Sequence, residues 1–283
     1  MRFTILIFFF LTRHFCFGQN ADVVVKNIYI DSTETNSFIS SIHCEINSIP
    51  VDSTKKIRLL FAEGKEKSGK KYKIDDFDYF GYDDMVLKNT FPIIFFTNKK
   101  IENPLQIQGK IRYFTPSLEN GGLKIIENPK QKNNINIYNG EEDIKVIVID
   151  IDKFVETEKD GKQFKTLIDK VVSKNNLNKK QFKRCIKLLM SDHKTYNWSS
   201  KQYFAFYVED KNDKLAGLHT LINDKIAHDG GGTYRFGSSS LVTRRFRQSI
   251  ESNWKIVLEI ETDKSINDLT FVLSDISLFG KQE

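Results

Sequence analysis

The chain has 283 residues, 40% hydrophobic and 28% charged, with 43 Lys and Arg against 37 Asp and Glu. That is enough apolar material for two hydrophobic cores, while no segment reaches the ~20 consecutive apolar residues of a transmembrane helix. A modest basic excess spread over a Lys- and Asn-rich chain reads as solvated surface and argues against a nucleic-acid footprint, which needs clustered charge.

The first residues, MRFTILIFFFLTRHFCFGQN, place Arg2 before an apolar run over residues 5–11 and a small residue at Gly18. This is the pattern of a secretory signal peptide, residues 1–18, cut after Gly18. Arg13, His14 and Phe15 precede Cys16 where a lipid-anchor signal needs small residues. The expectation is an exported protein, periplasmic or extracellular, without a transmembrane segment and without a nucleic-acid partner. Cleavage would remove Arg2 and Arg13, leaving 41 basic and 37 acidic side chains and a net charge of +4. Of the remaining cysteines, Cys44 alternates with Ile42 and Ile46 at strand spacing, and Cys185 lies beside Ile186 on an apolar helical face. Both read as small buried hydrophobes, and two cysteines do not make a disulfide framework.

Residues 21–116 alternate apolar and polar positions between Gly, Asn, Asp and Ser clusters, which predicts an antiparallel β-sandwich. Within them DDFDYFGYDD, residues 75–84, gathers acids and aromatics. Its plainest reading is a solvated hairpin tip. Asp76, Asp78, Asp83 and Asp84 are candidate calcium ligands, since the ion takes six to eight oxygens, although the spacing is not that of an EF-hand. Tyr79 and Tyr82 are candidate ligand-stacking residues for a sugar or a partner's surface. Apart from calcium, no cofactor is expected.

TNKKIENPLQIQGKIRYF (97–114) aligns without a gap on TDKSINDLTFVLSDISLF (262–279), matching Thr97, Lys99, Ile101, Ile111 and Phe114 with Thr262, Lys264, Ile266, Ile276 and Phe279. Both read as a strand-turn-strand hairpin, and Phe80-Gly81 and Phe236-Gly237 precede them. The inference is one β-unit used twice, with a linker at 117–142 that includes a short strand at 123–126, and a second domain at 143–283. On these residues the chain resembles secreted bacterial proteins with tandem immunoglobulin-like modules. The resemblance implies a mainly β fold of two immunoglobulin-like antiparallel sandwiches, and it implies no activity or site residue.

The second domain carries a helical insertion at about 158–191. Phe164, Leu167, Ile168, Val171 and Val172 fall on one helical face, Phe182, Cys185, Ile186, Leu189 and Met190 on another, and Asn178 is placed to cap the second helix. The pair should form an αα-hairpin covering a sheet.

Before it, VIVIDIDKF (146–154) resembles the strand-end nucleophile motif of haloacid-dehalogenase phosphatases, but Phe154 stands where that pattern wants Thr or Val. His193, His219 and His228 lack zinc-motif spacing. HDGGGTYRFGSSS (228–240) has no Gly-Lys-Ser/Thr ending and reads as a flexible or positive-φ loop between strands.

Together these readings give an exported, non-enzymatic envelope module that binds an envelope protein or glycan. The alternative is a secreted hydrolase of glycans or peptides, with carboxylates from Asp150, Asp152 or the 75–84 stretch. On the hairpin-tip reading, millimolar calcium leaves the melting temperature unmoved, and Asp76→Asn with Asp83→Asn is neutral or slightly stabilising. A calcium-dependent rise of several degrees that the double variant loses would instead assign the loop to the metal.

Overall fold

Where one face of a strand is buried, its side chains alternate in and out, and that alternation runs through both ends of this chain. The computed structural model describes residues 20–32, 37–47, 55–74, 90–140, 143–196, 201–227 and 230–278. Elements are numbered in chain order. The described residues divide into two compact units: residues up to 113 together with 267–278, and residues 114–266.

In the first unit, β1 (Val23–Ser32), β2 (Phe38–Ile46) and β5 (Thr90–Thr97) form one sheet in the order β1-β2-β5. A second sheet has the order β15-β6-β3-β4, from β3 (Lys56–Glu66), β4 (Lys71–Lys73), β6 (Leu105–Phe114) and β15 (Ile266–Ile276). Ile42, Cys44, Ile46, Phe91, Ile93 and Phe95 from the first sheet share a core with Ile57, Leu59, Leu105, Ile107, Leu269 and Phe271 from the second. The two sheets are therefore the layers of a sandwich.

β15 runs antiparallel to β6. The Thr115 amide donates to the Ser265 carbonyl at 2.8 Å, Arg112 reaches Asp268 at 2.7 Å, and a Cβ at Gly109 would lie 2.3 Å from the Phe271 ring. Glycine at 109 thus leaves room for the Phe271 ring, which meets Phe91 edge-on at 5.6 Å between ring centroids.

This pairing corrects the expected repeat. Residues 97–114 hold the last residue of β5, which belongs to the other sheet, then a turn and β6, while 262–278 hold a turn and the single strand β15, so neither segment is a hairpin. The two segments are neighbours in one sheet, not equivalent hairpins in two domains. They look alike because any two strands facing one core share the period-two pattern.

The second unit has two four-stranded sheets, each antiparallel throughout. One, in the order β11-β10-β14-β7, comprises β7 (Leu123–Glu127), β10 (Leu215–Ile222), β11 (Lys225–Ile226) and β14 (Lys255–Ile260). The other, in the order β12-β13-β9-β8, comprises β8 (Ile144–Val148), β9 (Tyr203–Asp210), β12 (Gly230–Phe236) and β13 (Ser239–Arg245). Ile126, Leu218, Ile256 and Leu258 from one meet Val146, Val148, Phe204, Phe206 and Val242 from the other, with Trp254 filling the same core.

The expected linker belongs to this unit. Its strand at 123–127 is the edge of a sheet. The Asn136 Oδ1 accepts from the Val146 amide at 2.9 Å, while the Asn136 amide donates to Asn175 Oδ1 at 2.8 Å. The expected glycine-rich loop is a hairpin, β12 to β13, turning at Gly237 (φ +64°), with Gly231 at φ +132°. The three consecutive glycines are therefore not a loop but the first residues of β12, and of them only Gly231 has the expected positive φ.

Three helices cover the outer face of the second sheet: α1 (Ile151–Glu158), α2 (Gly161–Asn175) and α3 (Lys179–Tyr196). The insertion is thus longer than the expected hairpin by one helix. Both apolar stripes are as the sequence spaces them. Ile168, Val171, Phe182, Cys185, Ile186, Leu189 and Met190 are buried with Phe154, Tyr203, Ala205, Tyr207 and Leu241, and Phe164, Leu167 and Val172 pack at the margin. Cys44 and Cys185 are free thiols in separate cores, and burial pushes each up to about 12. No described helix is long and apolar enough to cross a membrane.

Ile186 is fully buried, so Ile186→Asp should cost on the order of 3 kcal/mol or more in a urea titration, because an unpaired charge enters an apolar contact. An unchanged midpoint would place the stripe in solvent. Asp268 offers a pH test. The hydrogen bonds from Arg112, with Lys110 at 2.8 Å, hold its carboxyl at about 2. A depressed carboxylate contributes stability above its unfolded pKa, near 4, and that contribution disappears as pH falls towards 2. It is worth at most about 2 kcal/mol, since part of the side chain meets solvent. Stability should fall between pH 4 and pH 2, and Asp268→Asn should flatten that part of the curve.

Candidate interaction surface

The helical layer is fixed to the sheet at its turns. Asp160 caps α2, its carboxylate accepting from the amides of Lys162 (2.9 Å) and Gln163 (3.2 Å), and those amides hold it below the usual carboxylate range. Asn176, at φ 50°, ends α2, and its amide donates to the Ser173 and Val172 carbonyls. Asn178 then caps α3 by accepting from the Gln181 amide at 3.2 Å.

One buried carboxylate ties this turn to β9. Glu209 accepts from the Asn178 amide and from the Tyr207 hydroxyl at 2.7 Å, with Lys145 Nζ at 3.5 Å. Tyr207 lies 3.2 Å from Ser239, whose hydroxyl donates to Gln181. Burial pushes the Tyr207 hydroxyl up, so it stays a neutral donor to Glu209.

With its apolar side on the sheet, the layer turns its charge outward. Residues 161–187 hold nine of the 43 basic residues and one of the 37 acidic ones, so the rest of the chain has 34 basic and 36 acidic side chains. Lys162, Lys165, Lys170, Lys174, Lys179, Lys180, Arg184 and Lys187 are exposed and Lys183 is half-buried. On α3, Lys180, Lys183, Arg184 and Lys187 stand at i, i+3, i+4 and i+7, one helical face.

The lone acid, Asp169, marks where α2 and α3 bring their lysines together. Lys179 pairs with it at 2.9 Å and is the main cause holding its carboxyl below the usual range, helped by Lys183 and Lys165. The reading of the basic excess as dispersed is therefore corrected: it is gathered on one surface. A count over a 27-residue window, in place of the whole chain, carries that signal.

At the far end of α3, Tyr196 and Tyr234 are 62% and 41% exposed beside Asp192. Burial, and then Asp192, pushes the Tyr234 hydroxyl up. Arg184 stacks over Phe236 of β12, 4.4 Å from the ring centroid.

The other sequence-derived candidates have different fates. Asp76, Asp78, Tyr79, Tyr82, Asp83 and Asp84 lie outside the described residues, as does His228. Asp150 is a helix cap, its carboxylate accepting from the Lys153 amide at 3.1 Å and starting α1. Asp152 stands in the first turn of α1, where an acid complements the helix dipole.

His193 is on α3, while His219 on β10 pairs with Glu259 on β14 at 3.2 Å. Gly217 leaves room for that pair, because a Cβ there would lie 2.3 Å from Glu259 Oε2. Among the described residues no three His, Cys, Asp or Glu side chains are grouped to hold a metal ion. A shallow depression of about 490 Å³ is lined by Glu119, Asn120, Gly121, Lys214, Thr262, Asp263 and Lys264. Asn120 and Thr262 in its walls hold the adjoining turns, Asn120 accepting from the Ser117 and Gly122 amides and Thr262 donating to the Asn120 carbonyl.

Compared with protein-family models, with curated proteins and with solved structures, the chain matches none.

Proposed function

We propose that this chain is an exported, non-enzymatic module of the cell envelope that acts by surface contact. The observation that carries the reading is the outward side of residues 161–187 in α2 and α3: eight exposed cations and one acid on a layer whose inner side packs on a sheet. Charge of one sign held on rigid elements is a contact surface for a partner of the opposite sign. The signal-peptide pattern of residues 1–18 supports export.

The immunoglobulin-like reading of the first unit draws support from its strand order. First, second and fifth strands share one sheet, and third, sixth and seventh share the other, as in immunoglobulin domains. The fourth strand here joins the third. In the sequence, residues 114–266 are inserted between the sixth and seventh of these strands.

Expressed in a bacterium with its own first residues, the protein should leave the cytoplasm as a chain starting at Gln19. It should sediment with the envelope fraction and be released by 0.5 M salt. An uncut chain in the cytosol, or an exported chain that never sediments with the envelope, would overturn this reading.

A further inference from the structure

We infer that the outward face of α2 and α3 docks on an anionic phospholipid surface, which rests on the envelope reading above and names its partner. The charge points to a polyanion. What selects among polyanions is the kind of cation and the shape that carries it.

Eight of the nine basic residues between 161 and 187 are lysines, which are hydrated point charges without the planar fork that reads phosphates and base edges in pairs. The one arginine, Arg184, lies over the Phe236 ring. Such a set is suited to a diffuse surface potential more than to a fixed constellation of phosphates.

The carrier is two adjacent helices packed on a sheet, so the cations ride on an outward ridge. Single nucleic-acid strands are held instead in charged grooves with aromatic stacking platforms. Neighbouring cations one helical turn apart are ~5–6 Å from each other, closer than the Debye length of ~8 Å at physiological ionic strength, so they act on a surface together.

The test uses residues 19–283 with vesicles of phosphatidylcholine, either pure or with 30% phosphatidylglycerol. Cosedimentation at 50 mM salt is expected with the anionic vesicles only, and it should disappear at 0.5 M salt. Removing three charges by Lys165→Gln, Lys180→Gln and Lys187→Gln should weaken binding about a hundredfold, at about fivefold per lysine. The control Lys73→Gln, Lys99→Gln, Lys225→Gln removes the same charge from exposed sites elsewhere and should leave binding within about twofold.

Melting curves of both triple variants should match the wild type, since every changed side chain is exposed. Three results would each overturn the proposal: no binding to anionic vesicles, equal weakening by the two triple variants, or tight binding to duplex DNA that anionic vesicles fail to displace. None of them bears on export, so the envelope reading stands or falls separately by fractionation.

Discussion

Strand β9 is buried on both faces, and most of the second unit is arranged to satisfy it. Phe204, Phe206 and Val208 enter the sandwich core, while Tyr203, Ala205 and Tyr207 lie under the helices. An antiparallel sheet commonly leaves one face to water, but here the second face carries two tyrosines and Leu241 and must be covered. The apolar stripes of α2 and α3 do this. The tyrosine hydroxyl of residue 207 is accommodated by the buried carboxylate of Glu209, which at the same time receives the turn between the helices. One strand therefore fixes the sandwich core, the position of the helical layer and the polar network that joins them.

The outward charge is a corollary. A helix that buries one stripe on a sheet has its opposite face free for any polar residue. Stability alone would be served by a mixture of signs, with acids four residues before lysines. Instead α1 carries its own acids, Glu156 and Glu158, which pair with Lys153 and with Lys194 at the end of α3, whereas residues 161–187 keep like charges together around Asp169. Like charges at one-turn spacing are destabilising by a few tenths of a kcal/mol per pair. A surface that accepts that cost in a chain otherwise close to neutral is organised for something other than folding.

Local structure was largely legible in the sequence because period and capping are local. The alternation at Ile42, Cys44 and Ile46, the stripes at 164–172 and 182–190, and the cap at Asn178 can each be read within a dozen residues. What was not legible is pairing between distant segments. Nothing near Leu269 or Phe271 says that they return to a sheet begun some 200 residues earlier, and the same alternation made them look like a second copy of β6. Asp150 and Asp152 looked like chemistry because a strand ending in two acids resembles a nucleophile. A helix beginning at the next residue explains one of them as a cap. The charged face was missed because its excess was averaged over the whole chain. Its composition is a property of the sequence, but its placement on one surface depends on the helices packing side by side.

The return of β15 to the first unit sets an order of events during synthesis. Among the described residues, six strands of that unit leave the ribosome by residue 114, but the seventh follows only after the 153 residues of 114–266. At about 5–20 residues per second, that delay is roughly 10–30 s. Throughout it β6 has one sheet edge without its neighbour, and the core lacks Leu269, Phe271 and Leu273. Among the described residues the second unit, by contrast, is drawn from one stretch of sequence and can close as soon as it is made. The later part of the chain can thus mature first, while the earlier part waits with an open edge, a state that attracts foreign strands and that chaperones guard. A nascent chain held unfolded until it has passed a membrane would avoid that interval altogether.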